Sequence, residues 1–158
     1  MTPESHPSTP RIRTEVQVMF FDTDCAAVVH NIAYLRFIET ARTLLAEQLG
    51  LGLTEMAKTQ LFPVVARTEG DYKKPAVLGD KLFIDGWLDS FDRTRFWCGF
   101  NVLRQSDAAI VVKSRQMLAL VQMPVGRPVR LPTDWQTRYA HLLTLRTAGV
   151  PPASTRSY

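Results

Sequence analysis

One change of hydrophobic period constrains this chain more than any other feature. Up to Phe20 the apolar residues Ile12, Val16, Val18 and Phe20 fall on even positions. That alternation predicts a strand over 11–21 with one face on a core. From Asn31 onward Tyr34, Phe37, Ile38, Ala41, Leu44, Leu45 and Leu49 recur three and four apart. This spacing predicts a helix with one broad apolar stripe, rich enough to be largely enclosed. Asn31 is the expected N-cap, and Gly50 and Gly52 supply the stop.

Apart from a short helical stretch near 54–59, the chain then reads as sheet up to residue 123. Residues 61–73 form a long extended segment in which Gly70 marks an expected bulge. Lys74 to Asp80 is a connection with Pro and Gly turn chemistry. Segments 81–91 and 94–104 read as a hairpin around Asp92-Arg93, and 108–123 as the last strand. Beyond Pro124, the residues Trp135, Tyr139, Leu142, Leu143 and Leu145 predict a short helix starting at Pro132 or Thr133. The resulting organisation is a domain over 11–123, an extension over 124–146, and loose tails at 1–10 and 147–158.

Leu82, Ile84 and Leu88 alternate with Phe83 and Trp87, so the sheet is apolar on both faces. One helix covers one face, and a second subunit is expected to cover the other. A homodimer is the minimum unit on this reading, and a homotetramer is open.

Composition removes several classes. A length of 158 residues suits one domain, and 19 Lys and Arg against 15 Asp and Glu leave a charge of +4. No apolar run approaches the ~18 residues of a membrane span. Residues 1–10 are polar and proline-rich, unlike a secretory leader. Cys25 and Cys98 are the only cysteines, too few for a disulfide scaffold, and a cytoplasmic setting is expected. The basic residues are interspersed with acids, so nucleic-acid binding is not expected.

The chemistry concentrates between residues 20 and 31. Asp22, Asp24, His30 and Asn31 lie where a strand gives way to an apolar helix. A helix start offers unpaired N–H groups that polarise a carbonyl. A carboxylate just upstream can act on that carbonyl as base or nucleophile. The same residues could instead serve only as turn and capping groups. There is no His/Cys/Asp/Glu set at metal-ligand spacing and no Gly-x-Ser-x-Gly elbow. Cys25, beside Asp24, reads as a small buried residue.

Val18-x-Phe20-x-Asp22-Thr23-Asp24, followed by Val28-Val29-His30-Asn31-x-x-Tyr34-Leu35-x-Phe37-x-Glu39-x-x-Arg42, resembles the signature of hot-dog-fold acyl-CoA thioesterases. The similarity is greatest to the 4-hydroxybenzoyl-CoA thioesterase family, which includes the short-chain acyl-CoA thioesterases associated with the Tol–Pal system. A second motif, Tyr72-x-Lys74-Pro75-Ala76-x-x-Gly79-Asp80-x-Leu82, falls where that family has one. The resemblance implies an α+β hot-dog fold, an antiparallel sheet wrapped around a long central helix. It implies hydrolysis of a short-chain or aromatic acyl-CoA between two subunits. No cofactor is implied, because coenzyme A is part of the substrate.

Carried over by position, the resemblance makes Asp24 the residue that acts on the thioester and the Asn31 N–H the carbonyl-polarising group. Tyr34, Ala27 and Val28 then border the acyl group, while Glu39 and Arg42 bond within the fold or across the dimer. Glu39 is also a reserve candidate for the acidic role. The basic residues Lys73, Lys74, Arg93 and Arg95 lie in or beside connections and are expected to meet the CoA phosphates. The chain departs from the family at Ala26 and Ala27, where many members have glycine. His30 stands where one branch has tyrosine and Asn31 where it has histidine, so any orienting of water or substrate uses different groups. Two alternatives stay open: a thioesterase acting on acyl-carrier protein, and a non-catalytic acyl-thioester-binding protein.

Overall fold

The computed structural model describes residues 8–144. The elements run β1 (Arg11–Gln17), α1 (Asn31–Gln48), α2 (Leu53–Thr59), β2 (Leu61–Tyr72), β3 (Lys81–Phe91), β4 (Arg95–Arg104), β5 (Ile110–Gln122), β6 (Arg127–Pro128) and α3 (Trp135–Arg138). The strands form one antiparallel sheet in the order β1-β3-β4-β5-β2, with β6 pairing on β5. This is the α+β hot-dog architecture that the motifs imply.

Helix α1 buries Ala33, Tyr34, Phe37, Ile38, Ala41, Leu45 and Ala46 on the sheet, the i, i+3, i+4, i+7 row of an amphipathic helix. It lies over β1 and β3. The facing side chains are Leu82, Ile84 and Leu88 of β3 and Phe96, Cys98, Phe100 and Val102 of β4, all buried. The opposite row of α1 stays open, with Ile32, Leu35 and Leu44 exposed. The expected enclosure of the helix therefore holds for one face only within a single chain. His30 takes the N-cap position and Asn31 is the first helical residue, so the cap lies one place earlier than expected. Gly50 ends the helix with φ at +75°, a left-handed conformation that suits glycine.

Four local expectations need correction. The first strand stops at Gln17, and Phe20–Asp22 form a 3-10 turn in which both phenylalanines are exposed and Asp22 is buried. The bulge in β2 falls between Val65 and Arg67, while Gly70 pairs regularly with Ser114. The short C-terminal helix spans only Trp135–Arg138, with Asp134 at its cap, and a 3-10 turn follows at Ala140–Leu142. Chain order also begins earlier than expected. Pro10 is buried and its carbonyl accepts the Leu88 N–H at 3.1 Å, and Thr9 Oγ1 lies 3.1 Å from His141 Nε2. Leu145, most of the expected N-terminal tail and the whole tail at 147–158 lie outside the described residues.

The extension seals one end of the core. Trp135 is 1% exposed and meets Phe91, Phe96 and Tyr139 edge-on, with ring centroids 5.4 to 5.9 Å apart. Such pairs contribute about 0.5–1.5 kcal/mol beyond their area. On the sheet face turned away from α1, the rings of Phe83, Trp87 and Trp97 lie under the guanidinium groups of Arg13, Arg11 and Arg115, at 4.7, 5.7 and 4.5 Å from the centroids. The second apolar face is thus partly covered by the chain's own arginines.

Candidate active site

The segment between β1 and α1 is a small antiparallel hairpin. The His30 N–H donates to the Asp22 carbonyl, Thr23 and Val29 form a bridge, and the Asp24 N–H donates to the Val28 carbonyl at 2.9 Å. Cys25, Ala26 and Ala27 make the tip. Ala27 has φ at +58°, a left-handed backbone that costs a non-glycine residue about 1 kcal/mol. This is the position where the resemblance leads one to expect glycine. Cys25 is exposed on the tip, which corrects its expected burial.

The two carboxylates of Asp22-Thr23-Asp24 have opposite surroundings. Asp24 is exposed; its Oδ1 accepts the N–H groups of Ala26 at 2.8 Å and Val28 at 3.3 Å. Its Oδ2 has no protein partner among the described residues. One oxygen is therefore fixed by the turn and the other is presented outward. Asp22 is 2% exposed; its Oδ2 accepts the Met19 N–H at 2.9 Å and its Oδ1 the Arg36 guanidinium at 3.1 Å. Nothing in an Asp-Thr-Asp string tells which carboxylate goes inside, and sequence reasoning missed the role of Asp22.

The start of α1 carries no side-chain cap. The N–H groups of Asn31 and Ile32 have no acceptor among the described residues. These donors and the positive end of the helix dipole stay available to an external oxygen. His30 is half-buried at the cap position, and Asn31 is exposed. The hairpin holds Asp24 and this helix end in one rigid unit.

The second motif supports the hairpin from below. Val28 bridges to Val77, the Val29 N–H donates to the Ala76 carbonyl at 2.9 Å, and the Leu78 N–H donates to the Ala27 carbonyl at 3.0 Å. Tyr34, 3% exposed, accepts the Ala76 N–H on its hydroxyl at 3.2 Å. Burial raises the Tyr34 hydroxyl pKa, so it stays neutral. Tyr34 here anchors the two motifs to each other. Arg104 adds a brace, donating to the Pro75 carbonyl at 2.8 Å while Asp107 holds its other nitrogens.

The basic candidates do not gather within one chain. Lys73 and Lys74, within the second motif, follow β2 and donate their N–H groups to the Val111 carbonyl. Arg95 pairs with Ala119 at the far end of β5, with Arg93 in the adjoining turn, about 26 Å away along the strand. Glu39 is exposed and 3.6 Å from Arg42, which donates to Gln116 Oε1 at 2.6 Å. Arg42 thus bonds within the fold, as expected. A groove of about 470 Å³, lined by Trp87, Asn101, Lys113 and Arg115 among others, opens on the sheet face away from α1. None of the candidate site residues lines it.

An antiparallel sheet that cradles one long helix is the hot-dog fold, and the class of protein is that of the hot-dog thioesterases. The chain belongs to the Thioesterase-like superfamily, whose model matches residues 18–139. It is 26% identical over 130 residues to a 1,4-dihydroxy-2-naphthoyl-CoA hydrolase of Synechocystis, covering 81% of this chain and 94% of that one. It is 26% identical over 128 residues to the acyl-CoA thioesterase YbgC of Haemophilus influenzae, covering 80% and 93%. The crystal structure of a DHNA-CoA thioesterase from Staphylococcus aureus superposes with a TM-score of 0.74 at 21% identity, covering 83% of this chain and 89% of that one. Among the described residues, no helix is long and apolar enough to cross a membrane.

Proposed function

We propose that the protein hydrolyses a short-chain or aromatic acyl-CoA to the free acid and CoA. The observation that carries this reading is that one hairpin bears the unpartnered Oδ2 of Asp24 and leads into α1, whose first N–H, that of Asn31, has no acceptor among the described residues. The thioester carbonyl oxygen accepts the Asn31 N–H, which stabilises the negative charge that develops on it. Asp24 then takes a proton from an attacking water, or attacks the carbonyl carbon itself to give a mixed anhydride that water opens. Either way the C–S bond breaks and CoA leaves as a thiolate that is then protonated. His30, half-buried where the hairpin meets α1, orients the water or the substrate.

Phe20 and Phe21 on the 3-10 turn, Ile32 and Leu35 near the start of α1, and Val77 and Leu78 in the loop bonded to the hairpin are all exposed, which supports an apolar acyl group bordered by Ala27 and Val28. Two of the relatives are named for an aryl-CoA substrate, which supports the aromatic arm. Lys73 and Lys74 lie within the second motif and serve the CoA phosphates. Arg93 and Arg95 reach the same phosphates only from a second copy. That a homodimer completes the pocket is supported by β2. Beyond β5 its other edge pairs with no strand among the described residues, and Thr68, Gly70 and Tyr72 on its helix side are exposed.

A screen of short, branched, long-chain and aryl CoA thioesters, each with a matched carrier-protein thioester, tests the reading. Turnover on a short or aryl CoA ester is expected. Faster use of the carrier-protein esters contradicts the CoA assignment, and tight binding without hydrolysis contradicts catalysis. Single-turnover reaction in heavy-oxygen water separates the two routes, because only the nucleophilic one first labels the enzyme carboxylate.

A further inference from the structure

We propose that Asp22 is a positioning residue for the reaction: it clamps the first turns of α1 to the hairpin that carries Asp24. The inference rests on the reading above. Asp22 joins three parts of the site. Its carbonyl accepts the N–H of His30, at the threshold of α1. Its Oδ1 accepts Arg36, in the second turn of α1, and its Oδ2 accepts the N–H of Met19, where the chain leaves β1. A single residue thereby ties the incoming strand, the far limb of the hairpin and the helix.

A stability role alone does not account for a carboxylate at this point. Asp22 is 2% exposed, whereas its partner Arg36 has half its side chain in water. Removing a carboxylate from water costs several kcal/mol, and an ion pair of this kind often returns no more than a well-packed apolar residue would. Directional bonds do what an apolar residue cannot, namely fix the azimuth of α1 relative to the hairpin. The Asn31 N–H and the outward oxygen of Asp24 sit on the two parts so joined. Catalysis between them depends on their separation, and a misplacement of about 1 Å can cost up to 10²-fold in rate.

The test compares wild type, Asp22→Asn, Arg36→Met, Arg36→Lys and Asp24→Asn on the acyl-CoA that the screen identifies, well below each melting temperature. Asp22→Asn is expected to lower kcat about tenfold with KM changed by less than about twofold. Arg36→Met lowers kcat in the same direction, and Arg36→Lys restores most of it. A folded Asp22→Asn with the kcat of wild type overturns the inference. If Asp22→Asn does not fold, equal kcat for Arg36→Met and Arg36→Lys overturns it. Should Asp24→Asn abolish turnover while the Asp22 and Arg36 variants keep it, the inference alone fails. Full activity of Asp24→Asn, or a wild type inert on every thioester, removes the reading of the site and this inference with it.

Discussion

The hydroxyl of Tyr34, on the first turn of α1, accepts the backbone N–H of Ala76 from a loop 42 residues further along the chain. Through that bond the two sequence motifs become one structure, since the Ala76 carbonyl in turn accepts the N–H of Val29 in the hairpin. Tyr34→Phe removes the only partner that the buried Ala76 N–H has among the described residues. Leaving such a group unsatisfied costs about 1–3 kcal/mol. At roughly 2–4 °C per kcal/mol for a chain of this size, a drop of several degrees in Tm is expected. An unchanged Tm in a thermal melt contradicts the anchoring role.

Ala27 marks a site where the backbone and the residue disagree. Its φ of +58° at the hairpin tip is relieved by glycine, so Ala27→Gly is expected to stabilise the fold by up to about 1 kcal/mol. Chemical denaturation measures this as a raised midpoint at unchanged slope. A lowered midpoint would show that the tip is not strained.

Much of the fold could be read in advance, for reasons that differ by element. The stripe from Tyr34 to Leu49 has one period, so α1 declares itself locally, although Leu44 of that stripe is exposed. The alternation in β3 does the same, with Leu82, Ile84 and Leu88 inside. Phe20 defeats the same reasoning. It continues the even-numbered series, yet the chain turns at that point and buries Asp22 four residues after Val18. Asp22 is held there by the N–H of Met19 and by Arg36, fourteen positions away, and the second of these partners is not displayed by any local pattern. The bulge at Val65/Arg67 rather than at Gly70 is likewise set by the register against β5. At the site, the motif singles out Asp24 and Asn31, and the structure puts the first on the hairpin and the second at the start of α1; their roles are a matter of chemistry that position alone does not display. That Lys73 and Lys74 stand far from Arg93 and Arg95 follows from strand order, which spacing alone does not reveal.

Acid stability offers a separate check on the brace beneath the second motif. Arg104 holds the Asp107 carboxyl down to about 2 from its ordinary 3.8, with the Ala109 N–H assisting. The stabilisation from a depressed carboxylate is complete above the unfolded value and lost as pH falls through the folded one. Wild type and Asp107→Asn should therefore differ by a constant amount above about pH 4, and the difference should close as pH falls toward 2. Denaturation midpoints across that range measure it; a gap that persists at the acid end contradicts the pairing.

The two cysteines should be distinguishable by alkylation. Cys25 is exposed on the hairpin tip, while burial pushes the Cys98 thiol up to about 12. Only a thiolate reacts, so native protein treated with iodoacetamide near neutral pH should gain a single adduct, at Cys25. Peptide mapping reads the site. Modification of Cys98 without denaturant would contradict its packing against the α1 face.

The claim on which the functional account turns is that Asp24 acts on the thioester. The most direct measurement is thiol release from the best acyl-CoA substrate by wild type and by Asp24→Asn, with circular dichroism confirming that both are folded. Asn keeps a side-chain oxygen for the Ala26 and Val28 N–H groups but can neither take the proton nor attack as a carboxylate. The account predicts a loss in kcat of at least about 10²-fold. A folded Asp24→Asn that retains more than about a tenth of the wild-type rate contradicts it.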